Sequence, residues 1–142
     1  MKVFLDTNVL LDYLLDRSGW SEPALRVLLL GNAGVIDLCV ADLSISNIAY
    51  ITRGSISKID FYSVMKKLSR CYTIVSIGAD AVNKALDAQW TDFEDSLQYY
   101  AAMNAKADVI VTRNVKDFAQ SQIPVMTALE FLESLDNPNY KQ

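Results

Sequence analysis

Apolar residues fall along this chain in short β-branched runs separated by longer stretches of helical period. The first run, Val3-Phe4-Leu5, stops at Asp6 and has the length of a buried strand. Val9, Leu10, Tyr13 and Leu14 then recur at helical spacing. A second helix is expected from Ser21-Glu22-Pro23, where a capping residue, an acid and an early proline coincide. It runs through Leu25, Leu28 and Leu29 to a stop at Gly31-Asn32-Ala33-Gly34. Residues 35–40 form the next strand candidate. Asp42 or Ser44 then opens a helix carrying Ile45, Ile48, Ala49 and Thr52, closed by Gly54, and a further helix is expected over 58–70.

Thr73-Ile74-Val75 reads as a strand, followed by a short helix from Asp80 through Ala85 and Leu86. Thr91-Asp92-Phe93-Glu94 has the spacing of a capping box. The helix it starts carries an apolar stripe of Phe93, Leu97, Tyr100, Ala101 and Asn104. Strands are expected over 108–112 and 123–125, and Thr127-Ala128-Leu129-Glu130 repeats the capping-box spacing before a last helix. From Asp136 the chain turns polar, with Pro138, and should fray. Strands alternating with helices imply an α/β fold around a mostly parallel sheet: one domain over 1–135, then a polar tail over 136–142.

With 142 residues, 51% hydrophobic, the chain can build a proper core. The balance of 13 Lys and Arg against 17 Asp and Glu, a net charge of −4, does not suit a passive nucleic-acid coat. Contact with a phosphate backbone would need a local basic stripe or a bridging cation. Histidine is absent. That excludes Ser-His-Asp and Cys-His catalysis and the usual base near neutral pH. Two cysteines, Cys39 and Cys71, are too few for a disulfide framework and read as reduced core residues. No apolar stretch approaches the roughly 20 residues of a membrane span, and an acid at Asp6 interrupts any secretory leader. The chain is expected to be cytoplasmic.

Ligands of parallel sheets bind beyond the carboxyl ends of the strands. Asp6-Thr7-Asn8 closes the first strand, and Thr112-Arg113-Asn114-Val115-Lys116-Asp117-Phe118 closes the strand after the acidic helix. Between them, Asp92 and Asp95 stand three apart at a helix start, on a different face from the Phe93/Leu97 stripe. Carboxylates from distant positions, without histidine or thiolate, suit a hard cation such as Mg²⁺ or Mn²⁺. Each piece also has a purely local use. Asp6 can cap the following helix, Asp92 and Asp95 can be first-turn acids, and Asn114 and Asp117 can shape a loop. Lys58, Lys66, Lys67 and Arg70 read as a solvated helix face, and Tyr99 and Tyr100 as packing residues.

Three segments taken in order resemble the PIN-domain family: Val3-Phe4-Leu5-Asp6-Thr7-Asn8-Val9-Leu10-Leu11-Asp12, Asp92-Phe93-Glu94-Asp95-Ser96-Leu97 and Val111-Thr112-Arg113-Asn114-Val115-Lys116-Asp117-Phe118. The likeness spans nearly the whole chain and is greatest to small bacterial VapC-like toxins. It implies a Rossmann-like three-layer sandwich and a ribonuclease dependent on Mg²⁺ or Mn²⁺. It also implies a homodimer held inactive by an antitoxin. By the same resemblance, Asp6, Asp95 and Asp117 are the catalytic acids and metal ligands, Asp92, Asn114 and Asn47 further metal ligands, and Thr112, Asn114 and Asp117 match the last motif. Asn47 stands where relatives carry a glutamate, and Asn114 where many carry an aspartate. The reaction implied is hydrolysis of an RNA phosphodiester by metal-activated water. Arg113, together with Thr112, is then a candidate for substrate phosphate contacts, as is the Lys58/Lys66/Lys67/Arg70 helix. The competing reading, favoured by Asn47, is a catalytically weak binding module on the same fold. A phosphoacceptor domain is disfavoured because no paired acidic dipeptide lies near the first strand.

Overall fold

The computed structural model describes residues 1–137. Its centre is a five-stranded parallel sheet of order β3-β2-β1-β4-β5, formed by β1 (Lys2–Leu5), β2 (Asp37–Ala41), β3 (Thr73–Val75), β4 (Val109–Val111) and β5 (Val125–Met126). Between the strands run α1 (Thr7–Leu14), α2 (Ser21–Asn32), α3 (Asp42–Thr52), α4 (Lys58–Leu68), α5 (Gly78–Ala88) and α6 (Phe93–Asn104). A single 3-10 turn (Val115–Phe118) precedes β5, and α7 (Ala128–Asp136) closes the fold. The parallel α/β sandwich expected from the alternating runs is the fold observed.

The strand period of two divides the core into two halves. Val3, Leu5, Leu38, Val40, Val109 and Val111 face one way, into a cluster with Leu10, Leu28 and Phe131 of α1, α2 and α7. Phe4, Cys39, Ala41 and Ile110 face the other way, against Ala81 and Ala85 of α5 and Leu97 and Ala101 of α6. Strands buried on both faces read as continuous apolar runs, and these do. The chain builds β2 and β3 on one side of β1, then crosses back to place β4 on the other. The carboxyl ends of β1 and β4 therefore flank the point where strand order reverses, the place where such sheets hold ligands.

Several local expectations shift. β2 begins at Asp37 rather than at residue 35, since Val35 is exposed and follows a turn that Gly34 makes at φ +75. Gly31 does not stop α2 but lies within it, where a Cβ would collide with the Cys71 carbonyl. Trp20, not a side-chain cap, precedes α2, and its inward face is Ala24, Val27 and Leu28, with Leu25 and Leu29 outward. α5 starts at Gly78 and runs to Ala88, longer than expected. β5 is displaced to Val125–Met126 because Pro124 has no N–H to pair; its carbonyl accepts from the Ile110 N–H at 2.9 Å. The capping box at Thr127 and Glu130 is formed by both of its bonds. Asp136, expected to begin the tail, is the last residue of α7, and the expected fraying at 138–142 lies outside the described residues.

Of the cysteines, Cys39 is buried and Cys71 partly buried, and both are free. Tyr99 packs as expected: it stacks on Trp90 at 5.0 Å and its hydroxyl accepts from the Gln122 N–H. Among the described residues no helix is long and apolar enough to cross a membrane.

Candidate active site

β1 delivers Asp6 to the crevice, where it is 1% exposed and precedes α1 as its N-cap. The local reading of Asp6 as the cap of α1 is met at a position that also faces the crevice. Its Oδ1 accepts from the Thr7 N–H at 2.9 Å, and its Oδ2 accepts from the Thr112 hydroxyl at 2.9 Å. Thr112, fully buried just past β4, also accepts the Asn114 N–H at 3.1 Å. The Asn114 side chain is exposed; it is the backbone of this residue that ties the loop to Thr112. Asp117 is exposed on the 3-10 turn, which Phe118 anchors in the core.

The start of α6 differs from its expected form. Thr91 forms no capping box with Glu94; Asp92 is the cap, accepting the Asp95 N–H at 3.0 Å. The inward face is also different: Phe93 is 44% exposed, whereas Asp95, Ser96, Gln98 and Tyr99 are buried beside Leu97. Apolar periodicity misplaces this helix because polar side chains occupy its buried side. Carboxylate oxygens of Asp92, Glu94 and Asp95 all lie within 4.8 Å of one another.

Glu94, read from sequence as a capping residue alone, belongs to this cluster. Gln98, one turn on, holds it: the amide nitrogen lies 3.2 Å from Glu94 Oε1, and 3.1 Å from both Thr7 Oγ1 and Ser44 Oγ. The two hydroxyls are 2.7 Å apart. Turning the amide over would set its oxygen against the Glu94 carboxylate. In the orientation observed, Gln98 Oε1 is instead buried without a protein partner. Asn47 reaches the same carboxylate from α3, donating its amide to Glu94 Oε1 at 3.5 Å. The i, i+4 spacing of Glu94 and Gln98 was the available signal for this network.

The electrostatics follow from burial and crowding. Burial pushes the Asp6 carboxyl up to about 7, aided by the charges of Glu94 and Asp92 and opposed by the Thr112 and Thr7 hydrogen bonds. Burial pushes Asp95 up to about 8, reinforced by Asp6, Asp92, Glu94 and Asp117. The charges of Glu94 and Asp92 thus bear on Asp6, and those of Asp6, Asp92, Glu94 and Asp117 on Asp95. A cation would offset the charge that crowds Asp6 and Asp95, and the donors are all hard oxygens. The set fits a divalent ion of the Mg²⁺ or Mn²⁺ kind.

An open groove of about 410 Å³ runs beside the cluster, lined by Trp90, Asp92, Lys116 and Asp117 among others. Arg113 lies on the opposite flank of Thr112, where its Nη1 donates to Asp12 Oδ1 at 3.1 Å and its guanidinium sits 4.6 Å from the Trp20 ring centroid. Lys58, Lys66, Lys67 and Arg70 are all exposed and make no ion pair among the described residues.

Comparison with known proteins agrees with this picture. The model of the family described as "PIN domain" matches residues 2–116. Ribonuclease VapC1 of Aquifex aeolicus (strain VF5) is 33% identical over 143 residues, covering 93% of this chain and 94% of its own. Among solved structures, VapBC2 from Rickettsia felis bound to a promoter DNA fragment superposes with a TM-score of 0.66 at 16% identity, over 89% of this chain and 97% of that one. A toxin-antitoxin complex from Klebsiella pneumoniae gives 0.64 at 21% identity, over 89% and 97%. VapBC-1 from nontypeable Haemophilus influenzae gives 0.66 at 15%, over 91% and 99%. Those three show the likeness of fold, while the family match and the VapC1 relative fix the lineage: this chain belongs to the PIN-domain family and is VapC-like.

Proposed function

We propose that residues 1–135 form one PIN domain acting as a metal-dependent endoribonuclease, the toxin of a toxin–antitoxin pair in the cytoplasm. The observation that carries this reading is the convergence of the buried carboxyls Asp6 and Asp95 with Asp92 and Glu94 in one crevice, where burial and crowding raise both. Asp6, Asp95, Glu94 and Asp92 would hold Mg²⁺ or Mn²⁺, with Asp117 at the rim. When bound, such a cation makes water a better nucleophile at neutral pH and offsets the charge of the phosphodiester.

The chain's own residues prepare that chemistry. Thr112 and the Thr7 N–H fix both oxygens of Asp6. Gln98 and Asn47 fix Glu94, so Asn47 supports an acid rather than supplying one. The uncharged Asn47 favours a binding module of weak activity, but Glu94 brings a carboxylate to the same place from α6. Arg113 is offered for substrate phosphate, with Thr112 and Asn114 setting its loop.

Relatives of this fold are solved as toxin–antitoxin complexes, and exposed apolar side chains support a protein partner here. Tyr50 and Ile51 on α3 and Ile59 and Tyr62 on α4 are among them. Ile74 on the edge strand β3 and Leu86 on α5 are also exposed and support contact with a second copy in a homodimer. Incubation of the purified protein with a mixed RNA pool tests the activity. Cleavage is expected with Mn²⁺ or Mg²⁺, and is lost with chelator or in Asp6→Asn. Cleavage that survives chelator and Asp6→Asn alike would remove the metal mechanism.

A further inference from the structure

Outside the acid cluster, one other set of charged side chains converges. Asp12 lies within α1 and is 2% exposed, an unfavourable place for a lone carboxylate. Two arginines answer it at the same atom: Arg17 Nη1 is 3.2 Å, and Arg113 Nη1 3.1 Å, from Asp12 Oδ1. Arg17 follows α1 in the loop to α2, and Arg113 follows Thr112 beyond β4. The two come from opposite ends of the sequence to one oxygen.

Neutralising a buried carboxylate takes one guanidinium. A second brings two like charges together and leaves the group with an excess positive charge. Each guanidinium has five N–H donors. Asp12 takes one nitrogen of each, and no other side-chain acceptor is bonded to either among the described residues. Both side chains remain about one-third exposed, at 32% and 33%. The Trp20 ring lies against the Arg113 guanidinium, its centroid 4.6 Å away, and restrains it. Two forks of this kind, each with most of its donors open, match the oxygens of a phosphate.

Their position adds direction. Arg113 stands between Thr112, which bonds Asp6, and Asn114, whose N–H bonds Thr112. Arg113 thus sits on the loop that carries Asp6's own donor, and Asp12 joins Arg17 to it. We propose that Arg17 and Arg113, held by Asp12 and Trp20, form a subsite for a backbone phosphodiester of the RNA flanking the bond at the acid cluster. This rests on the ribonuclease reading above. Arg113 alone becomes half of a built site, and Arg17, Asp12 and Trp20 acquire roles as its partner and positioning residues.

The test uses the full chain and a short unstructured 2′-O-methyl oligoribonucleotide, checked by gel to stay intact, with binding followed across a salt series in Mn²⁺. A single-strand phosphate contact contributes about 0.7 to the slope of log affinity against log salt. Arg17→Gln combined with Arg113→Gln is expected to flatten the slope by about that amount and to weaken low-salt binding about tenfold. A purely structural role would lower the melting temperature and leave the slope unchanged. Arg113→Lys keeps the charge but loses the fork and serves where the double variant does not fold. It should keep the slope and still bind severalfold more weakly. A folded double variant with wild-type slope and affinity, or an Arg113→Lys protein indistinguishable from wild type, overturns the subsite. Wild type that neither binds this oligonucleotide nor cleaves RNA overturns the ribonuclease reading itself, and the subsite with it.

Discussion

Thr112 and Asp6 end neighbouring parallel strands at the same level, and the threonine hydroxyl donates to the Asp6 carboxylate at 2.9 Å. The register makes this contact unavoidable: Leu5 pairs with Val111, so the next residue of each strand faces the other across the β1–β4 gap. The bond stabilises the ionised form of Asp6, opposing the burial that raises it to about 7.

Thr112→Val keeps the shape of the side chain and removes the donor. The loss should be about 1–3 kcal/mol where Asp6 is ionised, the range for a buried group deprived of its partner. Urea unfolding in chelator at pH 8.5 and pH 5.5 measures it. A larger loss at pH 8.5 is expected, because at pH 5.5 Asp6 retains its proton and the bond no longer carries charge assistance. The Asn114 N–H loses the same acceptor at both pH values and sets a common baseline. Equal losses would show that the bond does not serve the charged form.

Stability without metal should run against the usual acid trend. Burial and crowding push Asp6 up to about 7 and Asp95 up to about 8 in the folded chain, from the ordinary 3.8 of an exposed carboxyl in the unfolded one. Between those limits the folded chain binds more protons than the unfolded one, so stability falls as pH rises through the window. Their contribution is fully present below the ordinary carboxylate range and is gone above about 8. Two such groups give a slope of at most about 2.7 kcal/mol per pH unit. Thermal melts in chelator should show a higher Tm at pH 6 than at pH 8.5, and saturating Mn²⁺ should cancel the difference. A Tm that rises over this span in chelator contradicts the raised carboxyls.

The fold was legible where burial is two-sided. Val3-Phe4-Leu5 and Val109-Ile110-Val111 are apolar throughout because helices cover both faces of the sheet, and such runs announce themselves. Asp6 and Thr112 were legible because they stop those runs. α6 was misjudged for a complementary reason. Its buried side holds Asp95, Ser96 and Gln98, and a search for apolar period passes over polar residues that pay their burial through hydrogen bonds and a charge cluster. Glu94 escapes notice as a site residue because Asn47 reaches it from α3, while Gln98 is itself tied to Thr7 of α1 and Ser44 of α3, across contacts no local pattern encodes.

Asn47→Glu changes the cluster's appetite for a cation. The asparagine amide already reaches Glu94 Oε1 at 3.5 Å, so a glutamate there sets a further carboxylate beside the acids. Without metal the added repulsion should lower Tm at pH 8. With Mn²⁺ the extra charged ligand should tighten binding about tenfold, or about 1.4 kcal/mol. Titration calorimetry decides the outcome, and unchanged affinity would place the bound ion away from Glu94 and Asn47.

Asp95→Asn separates a ligand from a first-turn acid. Asp95 stands in the first turn of α6, where a negative charge favours the helix dipole. If that is its whole contribution, the asparagine should cost a few tenths to about 1 kcal/mol, whether or not metal is present. The crevice makes a different demand. Asp6, Asp92, Glu94 and Asp117 all oppose ionisation of Asp95, so in chelator at pH 8.5 removing its charge should be neutral or stabilising. Metal reverses the order. An ion at about 100 times its dissociation constant stabilises the folded state by about 2.7 kcal/mol. At about 2–4 °C per kcal/mol, that is a rise of several degrees for wild type. Asp95→Asn should lose most of it. Melts of both proteins at pH 8.5, with Mn²⁺ and with chelator, give four temperatures. A crossing of the two lines identifies Asp95 as a ligand, and an equal metal-induced rise in both proteins leaves it a helix-start acid.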